Sequence, residues 1–357
     1  MSRNRIYLDH AATTPVLPEA RAAMAQALEH WANPSSPHGE GRAAKAALER
    51  ARSEIAGALG WRGDILFTSG ASEAVGMVAA RALVPRRVVG ATEHDVVPYH
   101  MGEEATVLPV GEDGVIDMGA LYVALADGPA LVALQHVNNE TGVIQPLDEV
   151  AERVRAAGGL LLADCAQSAG KIALPDADFI AISAHKFGGP PGIGALLVRD
   201  LATLAPTGGQ EKGYRRGTQN LPAVAGMAAA LTSGAHRAAM PRLAELRERL
   251  ESGVRAAGGT VIAEGADRIP AISAIALEGA SKDSLLVQLD LAGIAVSAGS
   301  ACSSGKMKAS RVLSAMRVPE SLAAGALRLS FGPQTQAGDI DAFLAAFGVI
   351  AGRRRAA

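Results

Sequence analysis

Short apolar runs alternate with helical periods along most of this chain, and that alternation limits its fold more than any other feature. Ile65-Leu66-Phe67, Val88-Val89, Ala130 to Leu134, Leu160 to Ala163, Asp178 to Ile182 and Ala195 to Val198 read as buried strands. Arg42 to Leu59, the alanine-rich stretch after Glu73 and Asp148 to Ala157 read as helices. The pattern predicts an α/β domain built on a mainly parallel sheet. The string Arg-Ala-Ala-Gly-Gly occurs at 155–159 and again at 255–259 with different flanks, each time punctuating a helix end before a strand. After Ala257 the texture changes. Val261-Ile262, Ala271 to Leu277 and Ala295-Val296 are strands mixed with helices, which marks a second, smaller domain. A length of 357 residues suits two domains, with ample surface to bury and no need of a covalent staple.

The remaining composition mostly excludes. Apolar residues at 49% and charged residues at 20% rule out a disordered chain. A net charge of −2 gives no reason to expect nucleic acid or an anionic membrane as partner, and Arg353-Arg354-Arg355 reads as a solvated terminus. Cys165 and Cys302 lie far apart with no metal-ligand spacing, which argues against zinc and a disulfide framework and for a reducing cytosol, hence a cytoplasmic protein. Residues 1–9 lack the apolar core of a signal peptide. The uncharged stretch 217–235 contains Thr218, Gln219, Asn220 and Pro222 and reads as the start of a buried helix, not a membrane span.

In open α/β sheets, ligands sit beyond the carboxyl ends of the strands, and here those ends are polar. Ser69-Gly70-Ala71-Ser72 opens a helix and offers N–H groups to a phosphate, though a serine N-cap explains it equally. Thr92-Glu93-His94 follows a second strand. Asn138-Asn139 follows a third and could form only a turn. Asp164-Cys165-Ala166-Gln167 closes a fourth, where Asp164 could merely cap a helix. Ser183-Ala184-His185-Lys186 closes a fifth, and a lysine is rarely buried without a partner. Phosphate donors, a carboxylate and a lysine together point to pyridoxal phosphate: the acid holds the proton on the pyridine nitrogen, and the lysine forms a Schiff base with the aldehyde.

Ten segments extend this reading, in order along the chain: YLDHAATTP (7–15), NPSSPH (33–38), FTSGASE (67–73), TEHD (92–95), HVNNETG (136–142), DCAQSAGK (164–171), SAHKFGGPPGIG (183–194), GGQEKGYRRGTQN (208–220), SAGSACSSG (297–305) and ALRLSFG (326–332). Together they resemble the cysteine desulfurases of the nitrogen-fixation and iron–sulfur-assembly group. The resemblance implies a fold-type I, class V aminotransferase architecture, with a large mainly parallel-sheet domain and a smaller α+β domain, and a homodimer. The expected division is a large cofactor-binding domain over 15–257 and a small domain from 1–14 plus 258–357. It also implies roles. Lys186 carries the cofactor, Asp164 pairs with the ring nitrogen, Gln167 bonds the ring hydroxyl, and His94 stacks on the ring and relays protons. Ala71, Ser72, Ser183 and His185 hold the phosphate, with Thr218 reaching over from the partner subunit. Asn139 and Arg328 orient the substrate carboxylate, a task that suits arginine's planar fork. Ser72 stands where threonine is commoner in the family, Gly76 where asparagine is frequent, and the C-terminus is shorter than in the iron–sulfur-assembly members.

Cys165, beside a strand, reads as a small buried hydrophobe. Cys302 does not: six of the ten residues from Ser297 to Lys306 are serine or glycine, the composition of an exposed loop, and Lys306 or His94 would favour its thiolate. The implied reaction is desulfuration of L-cysteine to L-alanine, with the sulfur captured on Cys302 as a persulfide and passed to an acceptor protein for iron–sulfur or other sulfur-containing cofactors. Another fold-type I aminotransferase, or a lyase acting on selenocysteine, would need no cysteine at 302. A binding scaffold that had lost the cofactor would lack the lysine or the aspartate.

Overall fold

The computed structural model describes residues 5–29, 31–299 and 310–355. Their strands are β1 (Ile6–Tyr7), β2 (Asp64–Thr68), β3 (Arg86–Gly90), β4 (Thr106–Leu108), β5 (Ala130–Gln135), β6 (Leu160–Asp164), β7 (Phe179–Ser183), β8 (Gly194–Val198), β9 (Thr260–Val261), β10 (Ile272–Ala276), β11 (Ile294–Ala295) and β12 (Ala326–Ser330). The α-helices are α1 (Pro18–Glu29), α2 (Gly39–Leu59), α3 (Ala71–Arg81), α4 (Val96–Met101), α5 (Met118–Ala126), α6 (Leu147–Ala156), α7 (Leu221–Thr232), α8 (Ala235–Ala256), α9 (Lys282–Leu291), α10 (Arg311–Ala315), α11 (Glu320–Ala323) and α12 (Ala337–Arg355). None of them is long and apolar enough to cross a membrane, among the described residues.

Seven strands form the main sheet in the order β2-β8-β7-β6-β5-β3-β4. Pairing is parallel from β7 to β4, and β8 runs antiparallel to both of its neighbours. A short connection explains that exception. The ten residues between Ser183 and Gly194 are too few for a parallel crossover, so the chain turns back. The pleat divides each apolar run between two cores. Phe67, Val132, Leu134, Ile180 and Ile182 pack on one face with α2, α5, α6 and α7. Leu66, Leu131, Ala133, Phe179 and Ala181 pack on the other with α3 and α4. Truncating Phe67 or Phe179, both buried, to alanine would cost about 3–5 kcal/mol.

The smaller sheet is β12-β10-β9, all antiparallel. Beside it, β1 pairs with β11 in parallel, which ties the start of the chain to residues 294–295. A third core joins Leu243, Leu250 and Val254 of α8, Leu285 and Leu289 of α9, and the stacked Phe343 and Phe347 of α12 to Ile275 and Leu329. The apolar run ending in Ser330 is a full strand that periodicity did not single out, and it places Arg328 in the middle of a buried row.

Candidate active site

The strand ends converge as the alternation requires. β7, β6, β5 and β3 are parallel, and β2 is brought into the same direction by its two antiparallel steps through β8. At that common carboxyl edge lies a cavity of about 430 Å³, lined by Ala71, Ser72, His94, Asn139, Asp164, Gln167, Ser183, His185, Lys186 and Arg328 among others. Thr218, expected to act from the partner subunit, is exposed on the loop before α7 and does not line this chain's own cavity. Cys302 lies outside the described residues.

The N-terminus of α3 supplies donors. Its N-cap is Gly70, with no side-chain cap, so neither serine plays the capping role that their positions also allowed. Gly194 makes this turn possible: a Cβ there would stand 2.3 Å from the Ile182 carbonyl oxygen and 2.7 Å from the Gly70 Cα. Glu73 closes the turn, accepting from the Ser69 N–H at 2.6 Å and from Arg215 Nε at 2.7 Å. Gly76 has a packing reason, since a Cβ would press on the His100 ring at 2.9 Å.

Asp164 is buried at the end of β6, and its Oδ1 accepts from the Ala166 N–H at 2.9 Å. Burial pushes its carboxyl upward, while that hydrogen bond and the nearby positive charges of His94 and Lys186 oppose the rise. Lys186 follows β7 on one tight turn, Ala184–Lys186, and its Nζ donates to the carbonyls of Ala11 at 2.6 Å and Ala12 at 2.8 Å. Gln167 donates its Nε2 to the same Ala11 carbonyl at 2.8 Å and accepts from the buried Lys171 Nζ at 3.5 Å. Burial and Lys186 lower the Lys171 amine to about 7. Burial and the same two lysines lower His185 to about 4, so it is neutral near pH 7, and its Nδ1 lies 3.1 Å from Thr13 Oγ1.

The two asparagines divide their work. Asn138 builds the turn, its Oδ1 accepting from the N–H groups of Glu140 and Thr141 at 2.9 and 2.8 Å. Asn139 lines the cavity and offers its carbonyl to Arg328 Nη1 at 2.9 Å. Arg328 is 3% exposed and its Nη2 donates to Asp9 Oδ1 at 2.7 Å, so it is a buried arginine with a carboxylate partner and not a surface ion pair. Asp9, the Ala11 and Ala12 carbonyls and Thr13 are contributions that strand-end reasoning missed. All lie in YLDHAATTP, which has no periodicity to announce it. Cys165 is fully buried and burial pushes its thiol up, as expected of an inert core cysteine.

The aminotransferase class-V family matches residues 6–343 of this chain. A cysteine desulfurase of Cereibacter sphaeroides is 40% identical across 99% of this chain and 97% of its own length. An IscS-like cysteine desulfurase of Mycobacterium tuberculosis is 38% identical across 98% of both. Among solved structures, a NifS-like protein from Rickettsia africae superposes with a TM-score of 0.90 at 30% identity, over 98% of this chain and 100% of that one. SspA in complex with cysteine superposes at 0.78 with 27% identity, over 93% of this chain and 100% of that one.

Proposed function

The chain belongs to the class-V aminotransferase family, among the cysteine desulfurases, and on that premise we propose that it converts L-cysteine to L-alanine with transfer of the sulfur to Cys302. The observation that carries the site assignment is the meeting of Lys186, Asp164 and the open N-terminus of α3 in one cavity.

The residues present fit pyridoxal phosphate. The uncapped start of α3, with the hydroxyls of Ser72 and Ser183 and the imidazole of His185, suits a phosphate. Asp164 is the buried acid suited to a ring nitrogen, and Lys186 is the amine suited to an aldehyde. When bound, the cofactor supplies an electron sink for carbanion chemistry at the substrate Cα. Asp164 would hold a proton at the ring nitrogen and so keep the sink strong. Lys186 Nζ takes the Cα proton and returns it. Gln167 and His94 line the same cavity and would flank the ring, and Arg328 with Asn139 would bind the substrate carboxylate. The Cys302 thiolate then attacks the substrate sulfur. The Cβ–S bond breaks, an S–S bond forms on Cys302, and the bonding pair with a proton completes the methyl group of alanine.

Thr218, exposed and away from this chain's own cavity, fits a role across a homodimer interface at the partner's phosphate. A cytoplasmic enzyme passing sulfur to an acceptor for iron–sulfur clusters, or another sulfur-containing cofactor, is the physiological setting we propose. The test is stoichiometry. The purified protein with L-cysteine and a reductant should release alanine and sulfide in equal amounts; pyruvate with ammonia in place of alanine would contradict the reading.

A further inference from the structure

The segment from Tyr7 to Thr14 lines the cavity through Ala11 and Ala12 and touches both of its poles. At one end Asp9 accepts from the guanidinium of Arg328 at 2.7 Å. Two and three residues later the Ala11 and Ala12 carbonyls accept from Lys186. The backbone here is held at many points. Leu8 N–H donates to the Ala295 carbonyl at 2.9 Å, Ser330 N–H donates to the Leu8 carbonyl at 2.8 Å, and the Asp9 carbonyl accepts from the Ala12 N–H at 3.1 Å. The Ala11 N–H donates to Ser330 Oγ at 2.8 Å, and the Tyr7 hydroxyl donates to the Asp9 and Thr13 carbonyls.

Arg328 needs a fixed partner. A guanidinium at 3% exposure cannot be left without an anion at small cost. The other nearby acid, Glu140, is a poor candidate: burial raises its carboxyl, and its Oε2 already accepts from Ser310 at 2.7 Å. Asp9 and the Asn139 carbonyl occupy one N–H on each terminal nitrogen, while the Nε–H is buried with no hydrogen-bond partner among the described residues. The fork is therefore clamped in place with donors to spare.

Resting on the reading of Arg328 as the carboxylate binder, we propose that Asp9 is a positioning residue that fixes the Arg328 guanidinium relative to Lys186, and thereby makes the site select amines that carry an α-carboxylate. Asp9 touches neither substrate nor cofactor in this role. It acts through Arg328, and the rigid backbone from Asp9 to Ala12 sets the spacing between the carboxylate pole and the amine pole.

Two ligands that differ only in the carboxylate separate this from a general structural role. L-alanine and ethylamine are titrated into the cofactor-loaded protein, and binding is read from the visible absorbance of the cofactor. In Asp9→Ala the affinity for L-alanine falls about tenfold, the scale of one hydrogen bond to a charged group, while that for ethylamine stays within about twofold. Asp9→Asn, which keeps an oxygen acceptor, restores most of the loss. In an Arg328→Ala background the Asp9 substitution changes nothing further. Equal weakening of both ligands, or unaltered L-alanine binding in Asp9→Ala, overturns the proposal. Should Asp9→Ala not fold, Asp9→Ser, too short to reach the guanidinium, is read in its place. The underlying reading is tested separately: if Arg328→Ala leaves the preference for L-alanine over ethylamine intact, the carboxylate assignment itself fails, whereas loss of preference there but not in the Asp9 variants sinks only the role of Asp9.

Discussion

At the residue scale the chemistry turns on where charge is held. Asp164 sits at the bottom of the cavity under opposing influences: burial raises its carboxyl, and the Ala166 N–H, His94 and Lys186 lower it. An ionised carboxylate facing the ring nitrogen is what a strong electron sink requires. Asp164→Asn keeps the size and loses the charge, so turnover with L-cysteine should fall on the order of a hundredfold or more while the phosphate contacts retain the cofactor. Steady-state turnover alongside the visible spectrum checks this; wild-type turnover would refute the ring-nitrogen role. This residue stood out in the sequence only in company: a cap explains one polar strand end, but not five polar strand ends in one sheet. Lys186 was legible for the same reason, and its location answers how a lysine survives there: two carbonyls from the N-terminal segment solvate it. Those carbonyls were not legible, since a backbone acceptor leaves no mark on residue identity. Asp9 was also missed, because a lone acid in a segment without periodicity looks like any surface acid.

At the scale of elements, the loop carrying Thr218 is tied back to β2 of the main sheet. Glu211, with φ of 46°, is buried; its carboxylate accepts from Arg52 Nη1 and Nη2 at 2.9 and 3.2 Å, from Gln219 Nε2 at 2.8 Å and from the Phe67 N–H at 2.8 Å. Arg52 also lies 4.4 Å over the Phe67 ring. Glu211→Ala would leave the Phe67 N–H unpaired and remove the buried carboxylate from Arg52, which keeps Glu49 at 3.1 Å, and should destabilise the fold by about 1–3 kcal/mol. Urea unfolding measures it, and a change under about 0.5 kcal/mol would show the clamp to be unimportant. Local patterning could not foresee this clamp, because Arg52, Phe67 and Glu211 are far apart in sequence. The strands of the main sheet were legible as apolar runs except the edge strand β4, only three residues long with Thr106 and Val107 exposed, whereas the antiparallel sense of β8 depends on connection length. The border expected after Ala257 followed a change in texture, yet α8 packs on the smaller sheet through Leu243, Leu250 and Val254. We therefore propose that the smaller unit begins at Ala235, with Gly234 at φ 64° making the turn.

At the scale of the whole molecule, buried imidazoles link stability to pH. Burial and the charges of Lys171 and His10 lower His236 to about 3, and neither ring nitrogen has a hydrogen-bond partner among the described residues. A histidine whose folded value lies below its unfolded value near 6.5 binds its proton mainly in the unfolded chain, so its contribution to stability is lost as pH falls below about 6.5. Buried acids with raised values, Glu93 and Glu140 among them, act in the opposite sense over part of the same range, so the comparison must be made between variants. Going from pH 7 to pH 5, His236→Leu should gain about 2 kcal/mol relative to wild type, measured by denaturant unfolding at both values. Parallel pH profiles would mean that His236 charges as readily in the fold as outside it.

The proposed function comes down to one transfer, from substrate sulfur to Cys302, and that transfer can be read directly. The protein loaded with cofactor is given L-cysteine without reductant, digested, and the cysteine peptides weighed. The account predicts a gain of one sulfur atom on the peptide containing Cys302, accompanied by alanine, and no such gain or alanine in Cys302→Ala. Undiminished alanine from Cys302→Ala, or the added sulfur on Cys165, would contradict it.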